Sequence, residues 1–512
     1  MRVLFPLLLA VLIALASGCA TVPPAAERTT TTALEGTQNT RLGRALAARL
    51  GEHPGKTGVH ALPQPRDAFA ARVVLAGAAE RSIDVQYYIW HDDVVGNLLF
   101  EALWQAAERG VRVRMLLDDL NTKGLDPTIA ALDAHPNIEV RLYNPLVLRD
   151  LRVFNFVGDF ERVNKRMHNK SYTVDNQVTI VGGRNIGNEY FGAGGGVLFA
   201  DLDVVAVGTV VPAVSRQFDR YWNSPSAYPA AQFVGGAGDA TRLATKFAGT
   251  RADPVAGAYI EAVRATPLVR DLLAGRLTFD WSTARVVNDD PAKTLDTTAR
   301  TDILLFPELV RAIGRPEASL DLITPYFVPG EDGTAALAAL AERGVAVRIL
   351  TNSLAASDVS AVHAGYAKRR AALLRGGVKL FELKPTAARD APDAAMSVGS
   401  SSSSGLHAKT FAVDRARLFV GSFNFDPRSA RLNTEMGLVI DSPALAQRLA
   451  DAFDREVALV AYEVRLTADG QRLQWIERTP SGERRFDTEP GTGWWDRFKV
   501  DILSVLPIDW LL

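Results

Sequence analysis

The sequence predicts an α/β protein built from two copies of one domain, with two mostly parallel sheets, flanking helices and a pseudo-two-fold arrangement. Residues 81–120 read as strand, helix and strand, and residues 319–354 repeat that order. The copies lie 237 positions apart, measured from Ser82 to Ser319. A constant offset indicates duplication, and a β-α-β order favours parallel strands covered by helices on both faces.

Length and composition agree with a globular protein of two halves. A chain of 512 residues exceeds what one hydrophobic core usually organises. Hydrophobic residues make up 47% and charged residues 22%, which is ordinary for a globular protein. The formal net charge of -1 excludes general basicity, so we expect no nucleic acid partner. We also expect the chain to act as a monomer.

The first residues have the pattern of an export signal. Arg2 precedes an apolar run and then small residues that end at Cys19, the single cysteine of the chain. Residues 1–18 are therefore predicted to be a signal peptide, with an uncleaved signal anchor as the alternative. Residues 15–19 resemble a bacterial lipoprotein box, which implies lipidation of Cys19. Ala20 after the cysteine then favours the periplasmic face of the outer membrane.

The rest of the chain divides into four predicted segments. Residues 20–40 lack any apolar period, and residues 19–66 are expected to form a lipidated tether and linker. The two halves are expected at 67–245 and 246–465. Residues 466–512 are predicted to form an amphipathic tail, because tryptophans alternate with charged residues near its end. Packing of this tail against the body is the alternative to a membrane contact.

Each half carries the same set of polar residues at similar spacing. The first set lies in MHNKSYTVDNQVTIVGGRN, and the second lies in LHAKTFAVDRARLFVGSFN. The histidines are 239 positions apart, close to the offset of the strands. Chance does not explain two such sets. The candidate residues are His168, Lys170, Asp175 and Asn185 in the first half and His407, Lys409, Asp414 and Asn424 in the second.

These residue types suit transfer of a phosphoryl group without a metal or other cofactor. In a strand, residues two apart share a face, so His168 and Lys170 project together. One histidine can attack phosphorus while the other serves as acid and base. Lysine and asparagine can stabilise the phosphate oxygens. Asp175 and Asp414 have the opposite parity, which favours a bracing role for them over a reactive one.

The repeated pattern HxKxxxxD, followed by Gly-Gly or Gly-Ser and then Asn, resembles the phospholipase D superfamily. Several stretches are most similar to its bacterial cardiolipin synthase C branch. The resemblance implies a duplicated phospholipase D-like domain and a covalent phosphohistidine. It implies that the His, Lys and Asp residues of both copies, including Asp175 and Asp414, form two catalytic HKD motifs. In these motifs His168 is expected to be the nucleophile and His407 the acid.

The resemblance also extends to residues around the two motifs. Gly183 stands where many members have serine, whereas Ser422 keeps it, so an asymmetry between the halves is expected. These two residues and the two asparagines are candidates for substrate binding. Asp201 and Glu435 match acids that orient the histidine of the opposite motif in the family. The alternative for Asp201 is an exposed position on an edge strand.

The expected function is a membrane-tethered phosphatidyltransferase that makes cardiolipin. Its expected partners are the membrane surface and the substrates phosphatidylglycerol and phosphatidylethanolamine. Two alternatives stay open at this stage. One is hydrolysis with water as acceptor, by a phospholipase D or a periplasmic nuclease, and the other is a catalytically silent lipid-binding relative.

Overall fold

A computed structural model describes most of the chain. The described residues are 22–24, 28–236, 238–273, 276–295, 300–387, 403–479 and 482–506. The predicted signal peptide and Cys19 lie outside them.

The strands are numbered in chain order across both halves. Those before residue 230 are β1 (Thr57–Leu62), β2 (Ser82–Ile89), β3 (Arg112–Asn121), β4 (Ile138–Tyr143), β5 (Ser171–Val174), β6 (Val178–Gly182), β7 (Val197–Ala200), β8 (Asp203–Gly208) and β9 (Ala227–Pro229). Those that follow are β10 (Asp280–Asn288), β11 (Ser319–Ile323), β12 (Ala346–Asn352), β13 (Lys379–Leu383), β14 (Ser403–Leu406), β15 (Thr410–Val413), β16 (Arg417–Gly421), β17 (Met436–Asp441), β18 (Ala461–Leu466), β19 (Leu473–Thr479) and β20 (Gly482–Phe486).

Helices cover the sheets and fill the connections. Those before residue 280 are α1 (Arg41–Glu52), α2 (Pro65–Ala78), α3 (Val94–Glu108), α4 (Asp126–Asp133), α5 (Asn155–Gly158), α6 (Phe160–Val163), α7 (Asn188–Phe191), α8 (Val211–Trp222), α9 (Ala240–Ala252), α10 (Pro254–Arg264) and α11 (Pro267–Leu273). Those that follow are α12 (Leu305–Ile313), α13 (Gly330–Glu342), α14 (Ser360–Ala367), α15 (Arg370–Arg375), α16 (Pro427–Arg431), α17 (Pro443–Arg455), α18 (Val457–Val460) and α19 (Trp494–Val505). Short 3₁₀ turns span Arg152–Phe154, Ala230–Gln232 and Pro291–Thr294.

The α/β class and the duplication are confirmed, but the expectation of two mostly parallel sheets is wrong. In each half three strands are parallel, β2–β3–β4 and β11–β12–β13. The motif hairpins β5–β6 and β15–β16 add antiparallel strands beside β2 and β11. A short turn must reverse the chain, so each hairpin makes its sheet mixed.

The two halves also share one continuous sheet. β1 pairs with β8 of the first half and with β10, and β10 pairs with β17 of the second half, all antiparallel. A smaller parallel pair, β7 with β14, joins the halves near the motifs. Strands far apart in sequence therefore hold the two halves together, and no periodicity within either half could reveal that pairing.

Several predicted boundaries shift in the structure. The tether expected at 19–66 contains α1 and β1, so the part that can act as a tether is shorter. Helices α9, α10 and α11 pack on α2 and α3, which places residues up to 273 with the first half and beyond the expected boundary at 245. Strands β19 and β20 lie within 466–512 and extend the second-half sheet through β18. Within that region, α19 carries the amphipathic pattern.

The core is divided between the halves and their interface. One aliphatic and aromatic cluster fills the first half and another fills the second. A third cluster, drawn from both, includes Val181 and Val204 of the first half with Val420 and Leu438 of the second. All four are buried. Burial of this shared apolar surface stabilises the approach of the two motif hairpins.

In the hairpin that follows each motif lysine, a tight turn joins the two strands. Asp175 and Asn176 have φ angles of 51° and 50°, and Asp414 and Arg415 have 54° and 53°. Positive φ at both central residues is the geometry of a type I′ turn, which matches the twist of the flanking strands. Asp and Asn tolerate this region better than most residues. The turn residue of each motif is therefore selected first for backbone geometry.

The two aspartates also hold the start of a parallel strand. Asp175 accepts hydrogen bonds from the backbone amides of residues 80–82, at 2.7–3.3 Å. Asp414 accepts from those of residues 317–319, at 2.7–3.1 Å. Each carboxylate is at the end of its strand opposite to the histidine. The structure therefore places Asp175 and Asp414 outside the catalytic groups of the motifs and gives them a bracing role.

We predict that Asp175→Asn lowers the free energy of unfolding by about 2 kcal/mol, because a neutral amide replaces the charged acceptor of hydrogen bonds from three backbone amides. Asp414→Asn is the matched variant and should cost less, because Asp414 is partly exposed whereas Asp175 is fully buried. Urea unfolding followed by tryptophan fluorescence measures both. The folded variants should keep most of their activity, and a loss of about a thousandfold in folded Asp175→Asn would contradict the bracing role.

Candidate active site

The motif histidines lie where the two halves cross. The backbone amide of His168 donates to the carbonyl oxygen of Thr434 at 2.9 Å, and that of His407 donates to Ala200 at 2.8 Å. Each histidine is therefore anchored to a segment of the other half, just before an acidic residue. Both histidine side chains are largely buried, with 8% and 11% of their surface exposed.

Each imidazole is held by a carboxylate from the opposite half. His168 Nδ1 lies 2.9 Å from Glu435 Oε2, and His407 Nδ1 lies 2.6 Å from Asp201 Oδ2. Both carboxylates are buried, so Asp201 does not occupy the exposed edge position that the sequence left open. These contacts fix the orientation of each ring and leave its Nε2 atom for other partners.

The two lysines lie beside the histidines. Lys170 Nζ donates to the carbonyl oxygen of His168 at 2.6 Å, and Lys409 Nζ donates to that of His407 at 2.5 Å. Burial lowers the pKa of Lys170 to about 7 and that of Lys409 to about 8. An anion bound between the motifs would favour the charged forms and replace the solvation that burial removes.

The two motif asparagines differ in their hydrogen bonds. Asn185 Nδ2 donates to the hydroxyl of Tyr190 at 3.1 Å, and its Oδ1 accepts from the amide of Ile89 at 3.2 Å. These two hydrogen bonds tie Asn185 to the strand end and to the wall of the site. Asn424 is also buried, but its Oδ1 has no hydrogen-bond partner within the described part of the chain.

Residues 183 and 422 support the carboxylates and not the substrate. The hydroxyl of Ser422 donates to Glu435, which also accepts from the hydroxyl of Ser429 at 2.8 Å. A Cβ atom built on Gly183 would lie 2.1 Å from Asp201 Oδ1. The shorter Asp201 thus occupies the space that a serine would need. This corrects the expectation that Gly183 and Ser422 bind substrate.

Comparison with known proteins identifies the family. The family model described as cardiolipin synthase, PLD-like domain, matches residues 74–222 and 309–457. Cardiolipin synthase C of Escherichia coli (strain K12) is 47% identical over 476 residues, which cover 92% of this chain and 100% of that protein. The chain belongs to the cardiolipin synthase family of phospholipase D-like proteins. The two matched stretches coincide with the two halves of the fold.

More distant similarities agree with this family. Cardiolipin synthase A of Pseudomonas entomophila (strain L48) is 27% identical, covering 80% of this chain and 70% of that protein. The crystal structure of phosphatidylserine synthase from Haemophilus influenzae Rd KW20 superposes with a TM-score of 0.55 at 13% identity. That match covers 92% of this chain and 100% of the other. At such low identity the superposition supports the fold alone.

In this phospholipase D-like protein, burial and neighbouring cations lower the pKa of both histidines. Burial lowers the pKa of His168 well below 6.5, and the charges of Lys170, Lys409 and His407 lower it further. Burial and Lys409 also lower the pKa of His407, while the carboxylate of Asp201 opposes the shift. Because each histidine responds to the lysine of the other half, all four groups share one site.

The two carboxylates respond differently to that site. Burial raises the pKa of Glu435 to about 7. Burial also acts to raise the pKa of Asp201, but the charges of His407 and Lys409 outweigh it and the net shift is downward. Asp201 is therefore ionised at neutral pH and favours a charged His407. The pair His168–Glu435 has less negative charge, which suits a neutral nucleophile.

Aromatic rings form a wall that the motif pattern did not reveal. Tyr88 meets His168 edge-on, with ring centroids 4.9 Å apart. Tyr190 and Phe199 lie 5.0 Å and 5.4 Å from His407. Tyr88 is near the end of β2, where sequence alone does not separate a ligand wall from the core, and no sequence signal points to Phe199. These rings exclude water from the imidazoles.

One group of described residues has a composition that could hold a metal ion, and it lies beside the motifs and not between them. His91 Nδ1 is 3.1 Å from Glu189 Oε1, and Asp93 is the third member. Asp93 already accepts hydrogen bonds from the amides of Gly96 and Asn188, which accounts for both of its oxygens. His91 and Asp93 lie in the loop after β2 and Glu189 lies in α7, whereas the motif histidines contact Glu435 and Asp201.

We predict that kcat/KM falls as pH rises above about 7, because Lys170 is charged below its lowered pKa and neutral above it. The decrease of kcat/KM at acidic pH should occur well below pH 6.5, because the pKa of His168 lies well below 6.5 and the ring is neutral above it. Lys170→Arg keeps its charge and should move the alkaline limb towards the pKa of Lys409, about 8. A pH profile on a soluble phosphodiester tests this, and an unmoved alkaline limb in Lys170→Arg would rule Lys170 out as its source.

Proposed function

We propose that this protein transfers a phosphatidyl group between glycerophospholipids and so makes cardiolipin, through a covalent phosphohistidine. The observation that supports this most strongly is the pair of reciprocal contacts, His168 with Glu435 and His407 with Asp201. One buried imidazole that favours the neutral form and one that is stabilised in the charged form suit a two-step exchange. The 47% identical relative carries the name cardiolipin synthase C, which favours a lipid acceptor over water.

In the first step, His168 Nε2 attacks phosphorus and the bond from phosphorus to the head-group oxygen breaks. The departing alkoxide takes a proton from His407, whose charged form is stabilised by the carboxylate of Asp201. In the second step, the hydroxyl of the acceptor gives its proton to His407 and attacks phosphorus, and the bond to His168 breaks. Both steps use the same two residues: His168 is the nucleophile and then the leaving group, and His407 is the acid and then the base.

The charges around the phosphate are supplied by the chain itself. Lys170 and Lys409 approach from the two halves, and their ammonium groups can neutralise the non-bridging oxygens as charge builds up. We propose phosphatidylglycerol and phosphatidylethanolamine as the glycerophospholipid substrates. Hydrolysis would follow if water reached the phosphohistidine, and the aromatic wall of Tyr88, Tyr190 and Phe199 limits that access.

Two exposed apolar surfaces support contact with a bilayer. One follows β4, and its exposed residues are Leu151, Val153, Phe154, Val157 and Phe160. The other is on α19, and its exposed residues are Trp494, Trp495, Phe498, Ile502 and Val505. α19 packs on α14 through Val500, and α14 follows β12. Both surfaces therefore flank the carboxyl ends of the parallel strands, near the motifs.

Anchoring at the membrane is a further part of the proposal. Within the described residues, no helix is both long and apolar enough to cross a bilayer. We propose that lipidated Cys19 tethers the chain to the periplasmic face of the outer membrane, after removal of the signal peptide. One acyl chain alone holds weakly, so the apolar surface of α19 would supply the second contact.

We predict that the purified protein converts labelled phosphatidylglycerol, with or without phosphatidylethanolamine, into cardiolipin detectable by mass spectrometry. His168→Ala and His407→Ala should each lower the rate by several orders of magnitude, because general acid–base catalysis alone contributes about 10²–10⁴-fold. Chelation with EDTA should leave the rate nearly unchanged, because the two lysines supply the positive charge.

Three outcomes would contradict this proposal. Formation of phosphatidic acid alone would replace transfer by hydrolysis. Label trapped on His407 in place of His168 would reverse the assignment of nucleophile and acid. A rate above about one tenth of wild type in either alanine variant, which exceeds the roughly one hundredth left by the smallest expected loss of acid–base catalysis, would reject the paired mechanism.

We predict that Cys19→Ala blocks lipidation, and that truncation after Pro490 keeps the protein on the membrane while activity on lipid vesicles is lost. The truncated form should still cleave a soluble phosphodiester, because the motifs stay intact. Trp494→Ser with Trp495→Ser is the matched variant, since it removes exposed rings and leaves Val500 packed. Cell fractionation and vesicle assays measure these effects. If the truncated protein and the double serine variant are as active on vesicles as wild type, α19 is a structural element only.

A further inference from the structure

A cavity of about 280 Å³ lies next to the Asp201–His407 pair and is bordered by Asp201 and by Ala408, which follows His407. Its wall is mostly aliphatic and comes from both halves, with α17 on one side. None of the rings that contact the imidazoles is among its lining residues, so it is distinct from the aromatic wall of the site. The residues used below are Ala200, Asp201, Ala408, Thr410, Arg448 and Ala452, all of which line it.

The duplication shows how two of the alanines open this space. Ala408 and Asn169 each follow the histidine of their own motif, and Ala200 and Thr434 each precede the carboxylate that holds the opposite histidine. In the equivalent place behind His168, Thr434 Oγ1 donates to Asn169 Oδ1 at 2.8 Å and both side chains are fully buried. Polar side chains that fill the space in one half are thus replaced by methyl groups in the other.

The third alanine belongs to α17. Helices α8 and α17 both begin with a Pro-Ala pair, residues 212–213 and 443–444, and this register aligns Tyr221 with Ala452. Tyr221 is fully buried, and its hydroxyl donates to the carbonyl oxygen of Asp289 at 2.8 Å. Asn169, Thr434 and Tyr221, which are larger and polar, therefore correspond to three alanines next to the other histidine. These alanines are Ala408, Ala200 and Ala452. An apolar space of this size lowers stability when it is empty.

Two polar groups give the cavity a chemical preference. Thr410 Oγ1 is buried and has no hydrogen-bond partner in the described part of the chain. Arg448 is exposed at the edge and makes no ion pair with any described residue. Its counterpart in α8 is the neutral Gln217. An aliphatic interior with a single cation at its edge complements a hydrocarbon chain that ends in an anion.

We propose that this cavity binds one fatty acid, with the hydrocarbon chain among Ala200, Ala408 and Ala452 and the carboxylate on Arg448. Arginine suits a carboxylate because it can donate two parallel hydrogen bonds. Because Asp201 also lines the cavity, a bound chain would pack against this residue. The site does not depend on the transfer reaction, so it can be tested without phospholipid substrate.

The test is equilibrium dialysis of radiolabelled dodecanoate against the full chain in a neutral detergent. We expect saturation at one dodecanoate for each chain. Arg448→Gln, which copies the first half, should weaken binding about tenfold, the effect of losing a charged hydrogen bond. Arg455→Gln, at the end of the same helix, is the charge-matched control and should leave binding unchanged. Dodecanol should bind wild type and Arg448→Gln equally.

Filling the cavity provides the second arm. Ala452→Tyr, which copies Tyr221, should abolish saturable binding. Ala452→Val fills less space and should weaken binding by a smaller factor, so it serves if the tyrosine variant does not fold. Circular dichroism melting establishes that each variant is folded. The proposal is overturned if wild type shows no saturable binding, if folded Ala452 variants bind dodecanoate as wild type does, or if Arg455→Gln weakens binding as much as Arg448→Gln.

Discussion

The active site depends on the exchange of carboxylates between the two halves. Glu435 of the second half holds His168, and Asp201 of the first half holds His407. Neither half alone contains a complete pair, so a single copy of the domain could not orient its own histidine. A buried carboxylate without a partner would be costly. The shared sheet through β1 and β10 and the shared apolar cluster keep these pairs together.

Within this symmetric frame the two pairs are chemically different. Glu435 is longer, accepts hydrogen bonds from two serines and has a pKa raised by burial to about 7. Asp201 is shorter, lies against Gly183 and stays ionised beside His407. A nucleophile needs a neutral ring and a general acid needs a proton. The differences in carboxylate length and support therefore divide one duplicated motif into two roles.

The asymmetry continues behind the pairs. Asn169, Thr434 and Tyr221 fill the space behind His168, whereas three alanines leave a cavity behind His407. The same comparison separates the asparagines, because Asn185 is engaged with Tyr190 while Asn424 Oδ1 has no partner among the described residues. Duplication thus supplies an internal reference. Positions at which the two halves have different residues show where one half has a property that the other lacks.

The sequence by itself determined the duplication, the α/β class, the family and the two HKD motifs. These depend on local periodicity and fixed spacing, which survive without knowledge of the fold. The bracing role favoured for Asp175 and Asp414 followed from strand parity, and the structure gives both carboxylates to backbone amides. Tertiary structure alone decided the direction of the outer strands and the place of β1. It also decided that Ser422 and Gly183 lie against the carboxylates and that Ala200, Ala408 and Ala452 line one cavity. These features join residues far apart in the chain, and local patterns contain no information about which distant segments meet.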